Sequence, residues 1–426
     1  MKELLFPTEN ASLPKYQLLA ESVRTAIRQG RIRPSEALPS TRELARKFKM
    51  HRHTVMNALA ELIAEGWILS REKKGYFVTH TLPETFLKPR KKLIGVLPPH
   101  SVSYPFARVS DIPDYQANLG YKHAFPSGFP DFRLFPIREF KSHVNDALKS
   151  KRVLIYGDPA GHENLRQEIV TYLRRVRGVE EKSIVVTNGS QEAIFLLAQL
   201  FIKPGDAVAV EALGYPPAFE ALKFAGAKLV PIEVDGEGLN VNDLKKKLQK
   251  HKIKFLYTTP LHQYPTTVTL SATRRLELYE VAVRSQLFIL EDDYDHEFHY
   301  VSQPVAPLAS FDPAGRVLYV STFSKILFPS ARLGFMAVPP VVAKEIAKLK
   351  KISSRQNEQI LQDTVARWMG SGGFERHLRR MRRAYEERRN EMLQALAQLR
   401  DEYQEDISWL APDGGMALWL NISRDS

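Results

Sequence analysis

Cysteine is absent from the 426 residues. That excludes disulfides, thiolate metal ligands and a cysteine nucleophile. Apolar runs long enough to span a bilayer are missing too, and Met1-Lys2-Glu3-Leu4-Leu5 opens without the apolar segment of a signal peptide. The expected compartment is the cytoplasm, with no membrane partner. An acidic excess is also lacking, since 61 lysines and arginines stand against 48 aspartates and glutamates, a net charge of +13. With 44% hydrophobic and 26% charged residues the chain is globular rather than disordered, and its length suits two unequal domains.

Most of the excess charge sits in a quarter of the chain. Residues 1–110 carry 19 lysines and arginines against 9 acids, +10, which suggests a polyanion-binding head on a body with another task. From Lys15, Leu19, Val23 and Ile27 share one helical face, and Gly30 ends the helix. Ser40 and Glu43 are spaced as a capping box opening a second helix. The run from His51 to Leu62 reads as a third helix, polar in its first turn and apolar later, the layout of a recognition helix whose start reaches base edges. Two short strands, Glu65 to Ser70 and Gly75 to Thr79, flank the basic tip Arg71-Glu72-Lys73-Lys74. The expectation for residues 1–80 is a winged helix-turn-helix that binds double-stranded operator DNA. Residues 81–112, with Lys88-Pro89-Arg90-Lys91-Lys92 and Pro98-Pro99, read as an extended linker.

From residue 113 to 426 apolar strand-like runs alternate with amphipathic helices. Ile184 to Thr187 precedes the helix Gln191 to Phe201, Ala207 to Val210 precedes Pro217 to Ala225, and Ile253 to Tyr257 precedes Ala272 to Arg284; Leu287 to Leu290 and Val317 to Val320 follow. This is an α/β pattern around a mainly parallel sheet with helices on both faces, and ligands bind such sheets at the carboxyl ends of the strands. Three motifs fall there. Asn188-Gly189-Ser190-Gln191 is a strand-to-helix turn able to bind a phosphate. Glu291-Asp292-Asp293-Tyr294-Asp295 follows a strand, so one carboxylate could pair with a pyridinium nitrogen; a solvated acidic loop or a magnesium site remain alternatives. Ser321-Thr322-Phe323-Ser324-Lys325 sets a lysine among hydroxyls at the mouth of a buried strand, with Arg332 downstream. A desolvated lysine attacks aldehydes, and hydroxyls with a guanidinium suit a phosphate. Together these are the equipment for pyridoxal phosphate held as a Schiff base. His296 and His299 read as ordinary polar residues, and no metal is expected. The arginine-rich run from Arg376 to Arg389 reads as a solvated helix of the body, with a second DNA-facing patch as the alternative.

Leu38-Pro39-Ser40-Thr41-Arg42-Glu43-Leu44-Ala45, Arg52-His53-Thr54-Val55 and Gly75-Tyr76-Phe77-Val78 resemble the DNA-binding domain of the GntR superfamily. That resemblance implies operator contacts from Arg42, Arg52, Thr54 and, in the wing, Gly75. The order of the body motifs, with Phe125-Pro126-Ser127-Gly128, Tyr156-Gly157-Asp158-Pro159 and Gly214-Tyr215-Pro216, resembles the fold-type I pyridoxal phosphate enzymes. The whole chain is similar to the MocR (GabR-like) subfamily of GntR transcriptional regulators, which fuses the two. By that resemblance Lys325 is the Schiff-base lysine, Asp292 holds the ring nitrogen, Tyr215 stacks on the ring and Tyr294 meets its phenolic oxygen. Ser190, Gln191, Thr322, Ser324 and Arg332 surround the phosphate. Tyr156 reaches the phosphate of a neighbouring subunit, which implies a homodimer. The implied function is transcriptional control by pyridoxal phosphate or by a small amine or amino acid forming an aldimine; a working aminotransferase with a DNA-binding head is the alternative.

Two positions depart from the pattern. Tyr264 and Thr267, in His262-Gln263-Tyr264-Pro265-Thr266-Thr267, stand where aminotransferases carry the asparagine and glycine of Asn-Pro-Thr-Gly. The resemblance also implies a further strand, bearing the arginine that clamps a substrate carboxylate, beyond the segment Gly414 to Arg424; the expectation is a C-terminally shortened body.

Overall fold

The computed structural model describes residues 13–83, 128–300, 305–403 and 407–422. Most of the expected linker, the stretch Phe125-Pro126-Ser127 and Arg424 lie outside the described residues. The chain divides into two compact units, Met1–Ala107 and Arg108–Ser426.

Among the described residues the first unit holds three helices and a hairpin: α1 Lys15–Arg28, α2 Thr41–Lys47, α3 Arg52–Ala64, β1 Ile68–Arg71 and β2 Gly75–Val78. The helices bury the faces that the apolar spacing marks, and Leu19, Val23, Ile27, Leu44, Val55, Leu59 and Leu62 meet Trp67 and Val78 in one core. Ser40 Oγ accepts from the Glu43 amide at 3.2 Å while Glu43 accepts from the Ser40 amide at 2.8 Å, completing the capping box. Arg24 ties α1 to α3 by donating to Glu61 at 2.6 Å and Glu65 at 2.7 Å. Its third acid partner, Glu21, lies one turn back on α1.

The second unit is built on a seven-stranded sheet. Its elements are α4 Ile137–Leu148, α5 Glu163–Arg177, β3 Ser183–Thr187, α6 Gly189–Phe201, β4 Ala207–Glu211, α7 Pro216–Phe224, β5 Lys228–Ile232, the short ladder β6 Val234–Asp235 and β7 Gly238–Leu239, α8 Val241–Lys250, β8 Ile253–Thr258, α9 Ala272–Arg284, β9 Phe288–Asp292, β10 Val317–Thr322, β11 Gly334–Val338, α10 Pro340–Ser353, α11 Gln359–Gly370, α12 Gly373–Tyr403, β12 Ile407–Trp409 and β13 Leu420–Ile422. The sheet order is β3-β11-β10-β9-β8-β4-β5. Every pairing is parallel except those of β11, which runs antiparallel to both β10 and β3. The sheet is therefore mainly parallel, as the alternation of runs predicts.

Side chains alternate across the pleat, so each strand feeds two cores. On one face Val186, Ala209, Leu256, Ile289 and Tyr319 pack with residues of α5, α9, α11 and α12; on the other Val185, Val208, Tyr257, Leu290 and Leu318 pack with residues of α6, α7 and α10. Because both faces are covered, polar chemistry is left to the strand ends. There β9 delivers three buried acids in a row. Glu291 accepts from the amides of Leu308 at 2.8 Å and Ala309 at 2.9 Å, while Asp293 accepts from Arg177 at 2.8 Å and the Tyr319 hydroxyl at 2.6 Å.

Burial alone would raise the Asp293 carboxyl, but Arg177, His296 and Tyr319 outweigh it and draw it down to about 2. A folded value below the unfolded one stabilises the fold above the ordinary aspartate range, and that contribution is lost as pH falls through about 2. Asp293→Ala, which strands a buried guanidinium, is expected to cost about 3–5 kcal/mol. The check is the shift of the body's unfolding transition by circular dichroism, full at neutral pH and shrinking below pH 4.

Candidate functional site

The carboxyl ends of β3, β4, β8, β9 and β10 share one edge of the sheet, and the chemistry predicted from the sequence collects there. Lys325 follows the end of β10 in a turn that buries Phe323, Ile326 and Leu327 around it. Its Nζ donates to the Gly128 carbonyl at 2.8 Å. Burial lowers its pKa, against the opposing pull of Asp295 and Asp292. A lysine so placed is a better nucleophile than a solvated one.

Asp292 ends β9, in register with Val320 of β10. Oδ2 accepts from the Tyr257 hydroxyl at 2.9 Å, and Oδ1 is buried with no hydrogen-bond partner among the described residues. Burial pushes this carboxyl up to about 7, with Asp293 and Asp295 adding to the rise while Tyr257 and Lys325 oppose it. Of the three consecutive acids, Asp292 is the one that senses Lys325 and Tyr215. It calls for a cationic or protonated partner.

An anion cradle forms at the start of α6. Asn188, the N-cap, places no side-chain cap on the helix among the described residues, so backbone amides remain at its positive end. Arg332 adopts a left-handed conformation, φ 45°, and donates from Nη2 to the Asn188 carbonyl at 2.9 Å. Gly334, opposite Thr187 in the β3–β11 pairing, lies so close that a Cβ there would come within 2.6 Å of the Gly189 carbonyl carbon. Gly189 itself has φ +76°, and a Cβ on it would meet the Arg332 guanidinium at 2.9 Å. Both glycines let the arginine and the turn share one small space. Thr322 Oγ1 bonds Ser324 Oγ at 2.9 Å and accepts from its amide at 3.1 Å. Gln191 donates to the Pro217 carbonyl at 2.9 Å and leaves Oε1 buried without a partner among the described residues.

Tyr215 caps α7 and meets Tyr264 edge to face, with centroids 5.7 Å apart. Burial pushes Tyr215 up to about 12 and Tyr294 well above its ordinary value, and Asp292 acts on both hydroxyls. Lys325, Asp292, Tyr215 and Tyr294 are thus electrostatically connected, and Arg332 reaches the turn that carries Ser190. Tyr156 stands apart from them: it is 73% exposed and stacks under Arg355 at 4.1 Å. In the other unit Arg42 and Arg52 are exposed in the first turns of α2 and α3, Thr54 is half-buried, and Gly75, φ +96°, starts the second wing strand.

Four features of the body escape sequence reasoning. Tyr257, the partner of Asp292, reads only as an apolar strand residue. Glu211, at the end of β4, accepts from Thr258 Oγ1 at 2.6 Å, Thr259 Oγ1 at 2.9 Å and Gln263 Nε2 at 3.3 Å, organising the loop of Tyr264. Its signal was a lone acid closing the run Ala207-Val208-Ala209-Val210. His262 Nδ1 and Asp295 Oδ1 form a buried pair at 2.6 Å. The arginine-rich stretch is, as expected, a solvated helix of the body, α12, with Arg376 and Arg388 exposed; what the sequence hides is that these arginines also brace the body. Arg376 bonds Glu139 at 2.8 Å, Arg388 bonds Asp131 at 2.7 Å, Arg389 donates to the Pro412 carbonyl at 2.8 Å, and Arg382 donates to the Glu297 carbonyl. The acids and carbonyls that take these charges come from distant segments, which composition cannot reveal.

Pyridoxal phosphate fits these residues. An unpartnered buried carboxylate oxygen suits its ring nitrogen, a desolvated lysine its aldehyde, an aromatic pair its ring, and the uncapped helix start with Arg332 its phosphate.

Comparison with known proteins agrees with the geometry. The model of aminotransferase class I and II matches residues 125–426, and that of bacterial regulatory proteins of the gntR family matches residues 15–78. The chain is 33% identical over 389 residues to the probable rhizopine catabolism regulatory protein MocR of Rhizobium meliloti, covering 90% of this chain and 78% of that protein. It is 30% identical over 416 residues to the HTH-type transcriptional regulator TauR of Rhodobacter capsulatus, covering 94% and 83%. Among solved structures, Pyrococcus horikoshii kynurenine aminotransferase in complex with PMP superposes with a TM-score of 0.66 at 31% identity, covering 70% of this chain and 75% of that one.

The raised Asp292 carboxyl carries a pH signature in the cofactor-free protein. A folded value of about 7 against an ordinary 3.8 means that the folded state holds its proton more tightly, so the penalty is absent below about 3.8 and complete above about 7. Asp292→Asn is expected to stabilise the cofactor-free protein increasingly between pH 4 and 7, by on the order of a few kcal/mol at the top. Urea unfolding across that range measures it.

Proposed function

The chain belongs to the aminotransferase class I and II family through its body and to the gntR family of bacterial regulators through its head, the MocR combination, and from that premise we propose that it is a DNA-binding regulator whose body reports the state of its cofactor site. It is an HTH-type transcriptional regulator, and pyridoxal phosphate is its cofactor. The carrying observation is the buried Oδ1 of Asp292, without a hydrogen-bond partner among the described residues and within electrostatic reach of a desolvated Lys325.

When bound, the cofactor supplies an aldehyde and an electron-accepting ring. Lys325 would hold the aldehyde carbon, its lowered basicity making the nitrogen lone pair more available than on a solvated lysine. Asp292 would keep a proton on the ring nitrogen, and a cation there would in turn draw its own carboxyl back down. Tyr215 would cover one ring face and Tyr294 would donate to the phenolic oxygen. Ser190, Gln191, Thr322, Ser324 and Arg332 would hold the phosphate. Tyr156, exposed beside Arg355, is assigned to the phosphate site of a second copy, which makes the working form a homodimer in the cytoplasm.

In the head, the exposed Arg42 and Arg52 and the half-buried Thr54 are assigned to the operator, with Gly75 letting the wing approach the backbone. A small amine or amino acid competing with Lys325 for the same carbon is the proposed effector. Its differential affinity for two body states would shift the heads.

Visible absorption titration of the full chain with pyridoxal phosphate tests the reading. The wild type is expected to gain a band above 400 nm, about where such conjugated adducts absorb, and Lys325→Ala to lack it. The same variant should keep operator affinity in a gel-shift assay yet lose any response to amines. Arg52→Ala should keep the band and lose about 1–3 kcal/mol of operator binding. A Lys325→Ala protein with an unchanged amine response would refute the proposal.

A further inference from the structure

A second lysine of the body is more deeply buried than Lys325. Lys350, on α10, has no exposed surface, and its Nζ donates to the Val186 carbonyl of β3 and to Asn357 Oδ1. Asn357 passes the link on, donating from Nδ2 to Glu192 Oε2 at 3.0 Å. That oxygen also accepts from the Asn188 amide, and the Asn188 carbonyl takes the Arg332 guanidinium at 2.9 Å. An unbroken chain of hydrogen bonds therefore runs from the ammonium of Lys350 to the turn between β3 and α6. The neighbouring Gln356 accepts from the Gly157 amide, which brings the segment after Tyr156 onto the same loop.

The electrostatics explain why a charge belongs there. Glu192 lies in the first turn of α6 and accepts from the Asn188 amide, at the turn assigned to a dianionic phosphate. A carboxylate at that place would repel the ligand unless a cation offset it. A buried ammonium is costly to desolvate, and a methionine would fill the volume without that cost. Lys350 instead spends its burial on the back of the anion cradle.

We propose that Lys350 is a positioning residue for phosphate recognition, fixing the β3–α6 turn through Asn357 and compensating the charge of Glu192. This rests on the assignment of that turn to the cofactor phosphate. Burial lowers the Lys350 ammonium to about 8 against the opposing influence of Glu192 and Asp158, the charged groups that act on it. The compensation is therefore present at neutral pH and withdrawn as pH rises through about 8.

The test compares pyridoxal phosphate with pyridoxal, which lacks the phosphate but offers the same ring and aldehyde. Dissociation constants are measured by absorption titration on the full chain. In Lys350→Met the affinity for pyridoxal phosphate is expected to fall roughly tenfold or more, the size of one charge-assisted hydrogen bond, with pyridoxal binding unchanged. Adding Glu192→Gln should restore most of the preference, because it removes the carboxylate that Lys350 offsets. In the wild type the preference should decline above pH 8, and in Lys350→Met that decline should vanish. If Lys350→Met does not fold, the double variant and Asn357→Ala carry the comparison, Asn357→Ala being expected to lose the preference. Equal weakening of both ligands, or no weakening, overturns the proposal in favour of a packing role. A wild type that binds both ligands equally removes the phosphate cradle itself and the proposal with it, whereas a discriminating wild type beside equally discriminating variants removes the Lys350 role alone.

Discussion

The body is organised by the cost of burying charge at the carboxyl edge of its sheet. With helices over both faces, the strand side chains at the carboxyl ends of β4, β8, β9 and β10 are buried, so every acid delivered there must find donors inside. Glu211 is met by threonine hydroxyls and Gln263, Glu291 by two backbone amides, Asp293 by Arg177 and Tyr319, and Asp295 by His262. Against that background Asp292 stands out: like Asp293 it keeps a buried Oδ1 without a hydrogen-bond partner among the described residues, but where Asp293 is paired with the Arg177 guanidinium, Asp292 is bonded to a neutral hydroxyl. Its donor among the described residues, the Tyr257 hydroxyl, holds the carboxyl in orientation without neutralising it. Of the two acids in the row with such an oxygen, Asp292 and Asp293, Asp292 is the one without a bonded cation among the described residues, and that leaves it open to something cationic.

How much of this the sequence could disclose depends on the range of the interaction. The capping box of Ser40 and Glu43 is local, three residues apart, and its residues alone announce it. The parallel strands show as apolar runs because both faces are buried, and the motifs at their ends follow from that. Tyr257 was illegible because a tyrosine in such a run is usually packing, and its hydroxyl acquires meaning only when β9 pairs alongside β8. The arginines of α12 were legible as a solvated helix, but their partners were not, for the complementary reason. Charge density argues for solvent or a polyanion, but the partners Glu139, Asp131 and the Pro412 carbonyl lie 237, 257 and 23 residues away in sequence. Lys350 carried no signal, sitting among lysines that do face water.

Tyr264 sits in a loop whose hydrogen bonds fix its place. Its loop is held by Gln263, which accepts from Thr266 at 3.1 Å and donates to the Leu213 and Tyr264 carbonyls at 2.6 Å each, and all of this leans on Glu211. The ring then packs against Tyr215 rather than offering a short amide toward the site. An aromatic wall in place of an amide favours holding a flat ring over recognising polar substrate groups beside it. That agrees with a site used to sense its occupant.

The single antiparallel strand gives the arrangement its economy. Had β11 run parallel to β10, the chain would need a long crossover, and its carboxyl end would carry residues far from Lys325. Running antiparallel, it starts at the functional edge, so Phe323 to Leu333 forms one short connection bearing both Lys325 and Arg332. Its first residue, Gly334, then sits between Thr322 of β10 and Thr187 of β3. One reversal of direction therefore joins the lysine, the guanidinium and the phosphate turn. Any change that shifts the β3–β11 register moves the phosphate turn relative to the lysine and the guanidinium, which makes that pairing a mechanical link between the anion cradle and the lysine.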